Sequence, residues 1–109
     1  MSPDLPPPIS NYFKAVNVQD VDAMLSAFSD DASVRDEGQD MIGRAAIREW
    51  IDDTTRKYRV TLTPTGVRQA DERTTVTARV AGTFPGSPVE LRYHFTITGG
   101  KIARLEITL

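Results

Sequence analysis

From Tyr58 to the C-terminus the chain alternates apolar and polar side chains with a period of two. This rhythm constrains the fold more than any other feature. Val89, Leu91, Tyr93, Phe95 and Ile97 alternate with Glu90, Arg92, His94, Thr96 and Thr98. A strand points successive side chains to opposite faces, so the pattern describes a sheet with one apolar face and one face of threonine and charge. Tyr58, Val60 and Leu62 keep the same step, as do Val76, Ala78 and Val80, and then Ala103, Leu105, Ile107 and Leu109. Turn chemistry separates these runs. Asp71-Glu72 forms one turn, Phe84 to Pro88 a second with Pro85-Gly86 at the centre of a type II turn, and Gly99-Gly100 a hairpin. Pro64, Gly66 and Gly82 are places where the sheet can bulge or bend.

An apolar sheet face has to be covered, and the first half of the chain supplies the cover. Pro8 suits the first position of a helix, and Ile9, Tyr12, Phe13 and Val16 then recur at helical spacing. Asp20 is a good cap for a second helix carrying Val21, Met24, Leu25 and Phe28. Asp30 and Asp31 stop it. A short strand runs from there to Asp36, and residues 38–40 form a loop. A third helix is expected from about Gly43 to Lys57, burying Ala46, Ile47, Trp50 and Ile51, with Arg48 and Asp52 as a surface pair. Helices followed by long antiparallel strands make an α+β fold. The expected form is a cone-shaped, strongly curved, mostly antiparallel sheet wrapped around three N-terminal helices, with a central pocket. Residues 1–7 read as a proline-rich arm and 8–109 as one domain.

Composition removes several kinds of chemistry. The chain has no cysteine and one histidine, which excludes thiol chemistry, zinc–thiolate sites and multi-histidine metal centres. The expectation is therefore neither metal nor cofactor. A net charge of −2 leaves no basic footprint for nucleic acid. The cluster Arg56-Lys57-Tyr58-Arg59 falls at a helix end, where cations complement the macrodipole. No apolar run is long enough to span a bilayer. Asp4 and three consecutive prolines stand where a signal sequence would be basic and then apolar, so the cytoplasm is the expected location.

Asp36 is the candidate for chemistry. If Val34 faces inward, strand parity turns Asp36 inward too, while Arg35 and Glu37 point out. A carboxylate aimed at an apolar interior is costly unless paired or protonated. It is either the end of a strand reaching water or the working group of a proton-transfer site. Burial would raise its pKa and strengthen it as a base. The other polar groups placed inward are Tyr12, Tyr58 and Tyr93, and a phenolic hydroxyl can donate to an enolate oxygen. Each of these tyrosines also fits a packing role. Phe13, Val34, Trp50, Tyr58, Phe84, Leu91 and Phe95 are the expected lining of the pocket, with core packing the other reading of Trp50. His94 shares parity with Arg92 and Thr96, which sets it on the polar face. Ser87 lies in a turn without the strand–elbow–helix setting of a nucleophile.

Several segments together resemble a known family: Tyr12-Phe13 on the first helix, Asp20-Val21-Asp22-Ala23 at the start of the second, Phe28-Ser29-Asp30-Asp31-Ala32-Ser33-Val34, and Gly43-Arg44-Ala45-Ala46-Ile47. They resemble the nuclear transport factor 2-like superfamily in its SnoaL-like branch, from Ile9 onward. That group includes ketosteroid isomerases, polyketide cyclases, dehydratases, epoxide hydrolases and transport adaptors. In the isomerases an aspartate is the base, and a tyrosine with a protonated aspartic acid forms the oxyanion hole. The resemblance places the helix-one tyrosine at Tyr12 and the base at Asp36. The second acid falls at Tyr93 when strands are matched by their apolar face, and at Arg92 when residues are counted without a gap. Neither is an acid. The resemblance implies catalytic roles for Asp36, Tyr12 and Tyr93.

Three functions remain open on the sequence. One is a cofactor-free isomerase, cyclase or dehydratase acting on a small hydrophobic carbonyl compound. Another is a non-catalytic pocket for a small hydrophobic molecule. The third is an interaction module. A homodimer is expected through the outer sheet face bearing Arg79, Arg92, His94, Arg104 and Glu106.

Overall fold

The computed structural model describes residues 5–109. Helix α1 (Pro7–Asn17) opens on proline and buries Ile9, Tyr12, Phe13 and Val16 along one face. Helix α2 (Val21–Ser26) is capped by Asp20, whose carboxylate accepts the Ala23 N–H at 3.1 Å. It ends earlier than its apolar spacing implies. Phe28 opens strand β1 (Phe28–Asp36), where it is fully buried with its ring edge-on to Tyr12 at 5.5 Å. A helical stripe and the start of a strand both demand an apolar residue there, so spacing alone does not separate them.

The loop expected at residues 38–40 is a hairpin instead. Glu37 and Gly38 both take positive φ, 53° and 76°, as a two-residue type I′ turn requires. Asp36 then pairs with Gln39, and β2 (Gln39–Ile42) runs back along β1. Helix α3 (Arg44–Tyr58) follows. Its Arg48 reaches Asp22 on α2 at 3.1 Å rather than Asp52 on its own helix. That pair is exposed and contributes at most about 1 kcal/mol. Strands β3 (Thr61–Ala70), β4 (Arg73–Ala81), β5 (Val89–Thr98) and β6 (Lys101–Thr108) complete the chain.

The six strands form one sheet in the order β2-β1-β6-β5-β4-β3, antiparallel throughout except where β1 runs parallel to β6. Three register breaks curve it around the helices. Thr65 is the extra residue between the Pro64–Ala78 and Gly66–Thr77 pairs, and Pro64 is tolerated because β3 is an edge strand. Ala103 is the extra residue between the Ile97–Ile102 and Thr96–Arg104 pairs. This shifts the inward set of β6, so Ile102, and not Ala103, is fully buried. The third break lies between Phe28 and Ser33 on β1. Gly82 does not bend a strand. It lies just past β4, where a Cβ would collide with the Tyr58 carbonyl oxygen.

The expected arm at residues 1–7 is revised where it can be seen. Residues 1–4 lie outside the described residues, Leu5 packs against the core, and Pro7 is already helical. The core is densest under α1. Phe95, Leu105 and Val34 stand side by side on the inner face of β5, β6 and β1, all fully buried. Side chains of this kind contribute about 1.5–3 kcal/mol each on burial. The structure is an α+β cone: a curved, mostly antiparallel sheet with three helices on its concave side.

Candidate functional site

Two residues along the strands from Phe95 the cone widens. The next row on the inner face holds Tyr93 paired with Ile107. Asp36 lies beside Ile107, one step past the Arg35–Glu106 pair. Two strand spacings separate the Asp36 and Tyr93 backbones by about 10 Å, with Ile107 between them. Both side chains rise from the same face of one row, while Arg35 turns outward to Asp40 at 2.9 Å.

Above this row the helices do not fill the cone, and a cavity of about 330 Å³ remains. Tyr12, Asp36 and Tyr93 all line it. Leu62, Val80, Leu91 and Ile107 form its floor on the sheet. Trp50, Ile51, Thr54 and Tyr58 form the wall on α3, and Phe84 and Pro85 stand at one side of the mouth. The Tyr58 and Phe84 rings meet edge-on at 5.9 Å. The Thr83 N–H donates to the Tyr58 carbonyl at 2.7 Å and its hydroxyl to the Lys57 carbonyl at 3.0 Å, so the turn after β4 is tied to the end of α3. Gly86 takes a φ of 86°, the positive value a type II turn needs at that position. Ser87 has a structural role in this turn: its hydroxyl accepts the Gly82 N–H at 2.9 Å.

The polar groups of the cavity differ in how they are held. The Asp36 carboxylate accepts the Trp50 indole N–H at 3.0 Å, which joins the end of β1 to α3. Desolvation raises the Asp36 pKa. The Trp50 hydrogen bond opposes this, the negative charge of Glu37 adds to it, and the Glu37 backbone N–H opposes it, in decreasing order of effect. Tyr12 is buried to 4% exposure and Tyr93 to 5%. Burial pushes both phenols up from their ordinary pKa, reinforced by the charge of Asp36 and, at Tyr12, by Tyr93. Both therefore stay protonated as donors at neutral pH. Among the described residues no sealed-off side-chain polar atom lacks a hydrogen bond, and neither phenol bonds to a protein group. Their hydroxyls open on the cavity.

Three expected lining residues stand elsewhere. Phe13, Val34 and Phe95 do not reach the cavity, because they belong to the narrower part of the cone behind it. Phe13 meets Tyr93 edge-on at 5.4 Å and Phe95 at 5.9 Å, and so backs the site without facing it. Trp50, Tyr58, Phe84 and Leu91 do face it. Glu37 was expected to point outward, yet its left-handed turn brings it to the cavity mouth. Gln19, Thr54 and Thr55 also contribute polar groups that strand or helix periodicity did not single out. His94 is on the other side of the sheet, bridged to the Thr75 hydroxyl through Nδ1 and to the Thr108 hydroxyl through Nε2, each at 3.0 Å. Among the described residues no group of three or more His, Cys, Asp or Glu side chains is placed to hold a metal ion, and no helix is long and apolar enough to cross a membrane.

Residues 9–105 match the SnoaL-like domain family. The chain belongs to that family. Its fold is shared by a protein of Sinorhizobium meliloti provisionally named a polyketide cyclase, at 41% identity and a TM-score of 0.92 over 96% of each chain. SalBIII, an epoxide hydrolase/cyclase-like enzyme with a role in pyran ring formation in the polyether salinomycin, is 25% identical with a TM-score of 0.82. That alignment covers 94% of this chain and 87% of SalBIII. A Mycobacterium tuberculosis protein solved with estradiol-17β-hemisuccinate shares the fold alone, at 15% identity and a TM-score of 0.78 over 92% and 88% of the two chains. Curated protein sequences provide no match. The SnoaL-like family and its cyclase-type neighbours fit an isomerase- or cyclase-type activity that needs no cofactor, without specifying a reaction.

Proposed function

We propose that this protein is a proton-transfer enzyme of the isomerase or cyclase type, acting on a small hydrophobic carbonyl compound. The observation that carries this reading is a desolvated carboxylate sharing one largely apolar cavity with two phenols whose hydroxyls have no partner among the described residues. Asp36 takes a proton from the carbon next to a carbonyl, and its raised pKa makes it the stronger base. Tyr12 and Tyr93 donate to the enolate oxygen as charge develops there. The proton then returns at another carbon, which is isomerisation. In the cyclising variant the enolate carbon attacks a second carbonyl of the same molecule, and the alkoxide so formed takes the proton back from Asp36. Either route balances without an added reagent. A phenol is a weaker donor than the carboxylic acid of the isomerases, so this pair suits a carbon acidified by a second flanking group besides the carbonyl, either another carbonyl or an aromatic ring. The relatives at 41% and 25% identity, one provisionally a polyketide cyclase and the other an epoxide hydrolase/cyclase-like enzyme, support the same choice.

The proposal extends to a homodimer through the outer sheet face and to a cytoplasmic location, which a chain without cysteine suits. Sedimentation at micromolar concentration tests the dimer, and a monomer there removes it.

Deuterium exchange tests the chemistry. Exchange of 2-tetralone α-protons in D₂O, followed by NMR, is expected to be faster with the protein than without it. Asp36→Asn should return the rate to background, and Tyr12→Phe should slow it by about a hundredfold, as for loss of one oxyanion donor. A wild-type rate equal to that of Asp36→Asn overturns the proposal.

A further inference from the structure

The charged residues on the cavity wall are Asp36 and Glu37. No lysine, arginine or histidine accompanies them among the described lining residues. The aromatic rings of Trp50, Tyr58 and Phe84 line the same space and bring no positive charge to it. A ligand that carried a carboxylate or phosphate into this cavity would meet two like charges, with no counter-ion among the described lining residues. The two buried phenols can donate to an enolate oxygen that forms as Asp36 takes up the proton and loses its charge. They supply no positive charge to offset an anion that enters beside an ionised Asp36.

Glu37 is placed for this task at some conformational cost. It is the first central residue of the β1–β2 turn, with a φ of 53°. Type I′ turns favour Asn, Asp or Gly at that position, and a long side chain is uncommon there. The turn sets Glu37, an exposed residue, on the lining of the cavity next in sequence to the proposed base, and its negative charge is felt at Asp36.

We propose that Glu37 is a specificity-determining residue, a charge filter that restricts the cavity to molecules without negative charge. The substrate then carries its carboxyl group masked, as an ester or lactone, or has none, and an amine in its place is tolerated. Attraction to the carboxylates of Asp36 and Glu37 would favour such an amine. The inference rests on the proposed function in taking the same cavity as the substrate site, but binding alone tests it.

Three probes share one ring system: 2-naphthylacetic acid, its methyl ester, and 2-(2-naphthyl)ethylamine. Trp50 is the only tryptophan in the sequence, so its indole N–H gives a single cross-peak that reports on the cavity and on Asp36. At pH 8 the ester and the amine should shift this peak at least tenfold more tightly than the acid. Glu37→Gln should narrow the gap between ester and acid, and Glu37→Lys should invert it. The Asp36 titration should move down in Glu37→Gln, a change that loss of a mere turn residue would not produce. Equal affinity for the three probes overturns the proposal, as does no shift with any of them at millimolar concentration. Discrimination without 2-tetralone exchange would remove the catalytic reading and leave the filter. Exchange with equal acceptance of acid and ester would do the reverse.

Discussion

The narrow and wide ends of the cone are built from the same strands, yet they do opposite things. At the narrow end Phe95, Leu105, Val34 and Phe28 are fully buried, and the rings of Tyr12, Phe13 and Phe95 meet at tilted or edge-on angles. At the wide end, two residues further along β5 and β1, the inward positions are Tyr93 and Asp36, and an open volume replaces the packing. Curvature explains the difference. Bulges at Thr65 and Ala103 turn the sheet in around α1, and the helices close only one end of what results. Stability comes from the end that is filled, while the end left unfilled can hold a ligand and shift a carboxylate's pKa.

The largest expected effect tests that division directly. Phe95→Ala should lower unfolding stability by roughly 3–5 kcal/mol in denaturant titrations. Leu91→Ala, on the same strand but facing the cavity, should cost only about 1 kcal/mol, because it enlarges existing space instead of opening a void in packed core. Similar losses at the two positions would mean that the wide end is also packed in solution.

The seam between α3 and the turn after β4 comes next. Gly82→Ala forces a Cβ against the Tyr58 carbonyl and the side chains of Phe84 and Val60. It should destabilise by about 1–3 kcal/mol, as overpacking does. The Trp50 cross-peak should move with it, since Tyr58 and Trp50 share a helix.

A smaller effect of opposite sign is expected at the cavity mouth. Glu37→Asn replaces a side chain strained by left-handed φ with one that suits the turn, and should raise stability by about 1 kcal/mol. A loss of stability would show that the Glu37 side chain makes a stabilising contact outweighing the strain.

The subtlest test is the pH dependence of stability. The folded-state pKa of Asp36 is raised, so the native state binds its proton more tightly than the unfolded chain does. Its contribution is fully favourable at acid pH, below the ordinary aspartate value of about 3.9, and is lost as pH rises through the higher folded value. Asp36→Asn should remove that decline and be the more stable protein at neutral pH. An unchanged pH profile would mean a solvated carboxylate. In wild type the exchange activity should rise over the same interval, as the base ionises.

Much of the fold was legible because period-two and helical spacing rarely coincide over long segments. The alternation in Val89 to Ile97, the turn at Gly99-Gly100 and the cap at Asp20 each carried a physical requirement that the structure meets. The failures occurred where a local register change leaves no trace in composition. A bulge at Ala103 exchanges it with Ile102, and a two-residue turn at Glu37-Gly38 lacks the usual Asn-Gly or Asp-Gly. The inward aim of Asp36 followed from parity with Val34. The indole of Trp50 could not be assigned to it, because a helical stripe specifies a face of the helix and not the partner across the gap. Val34 and Phe95 share strand parity with true lining residues, and Phe13 shares the buried face of α1 with Tyr12, but neither parity nor a helical face says how far along a cone a residue sits.

Asn17, at the end of α1, has a consequence for how copies of the chain meet in solution. Its side-chain amide donates to the Leu62 carbonyl at 2.9 Å and accepts the Leu62 N–H. A carboxamide can offer an N–H and a carbonyl side by side, as a strand's backbone does, so Asn17 occupies the place a neighbouring strand would take at Leu62 on β3. Two residues on, Pro64 has no N–H to offer. The outer rim of β3 is thus closed to strand addition beside the cavity, and a second chain cannot extend the sheet there into a fibre.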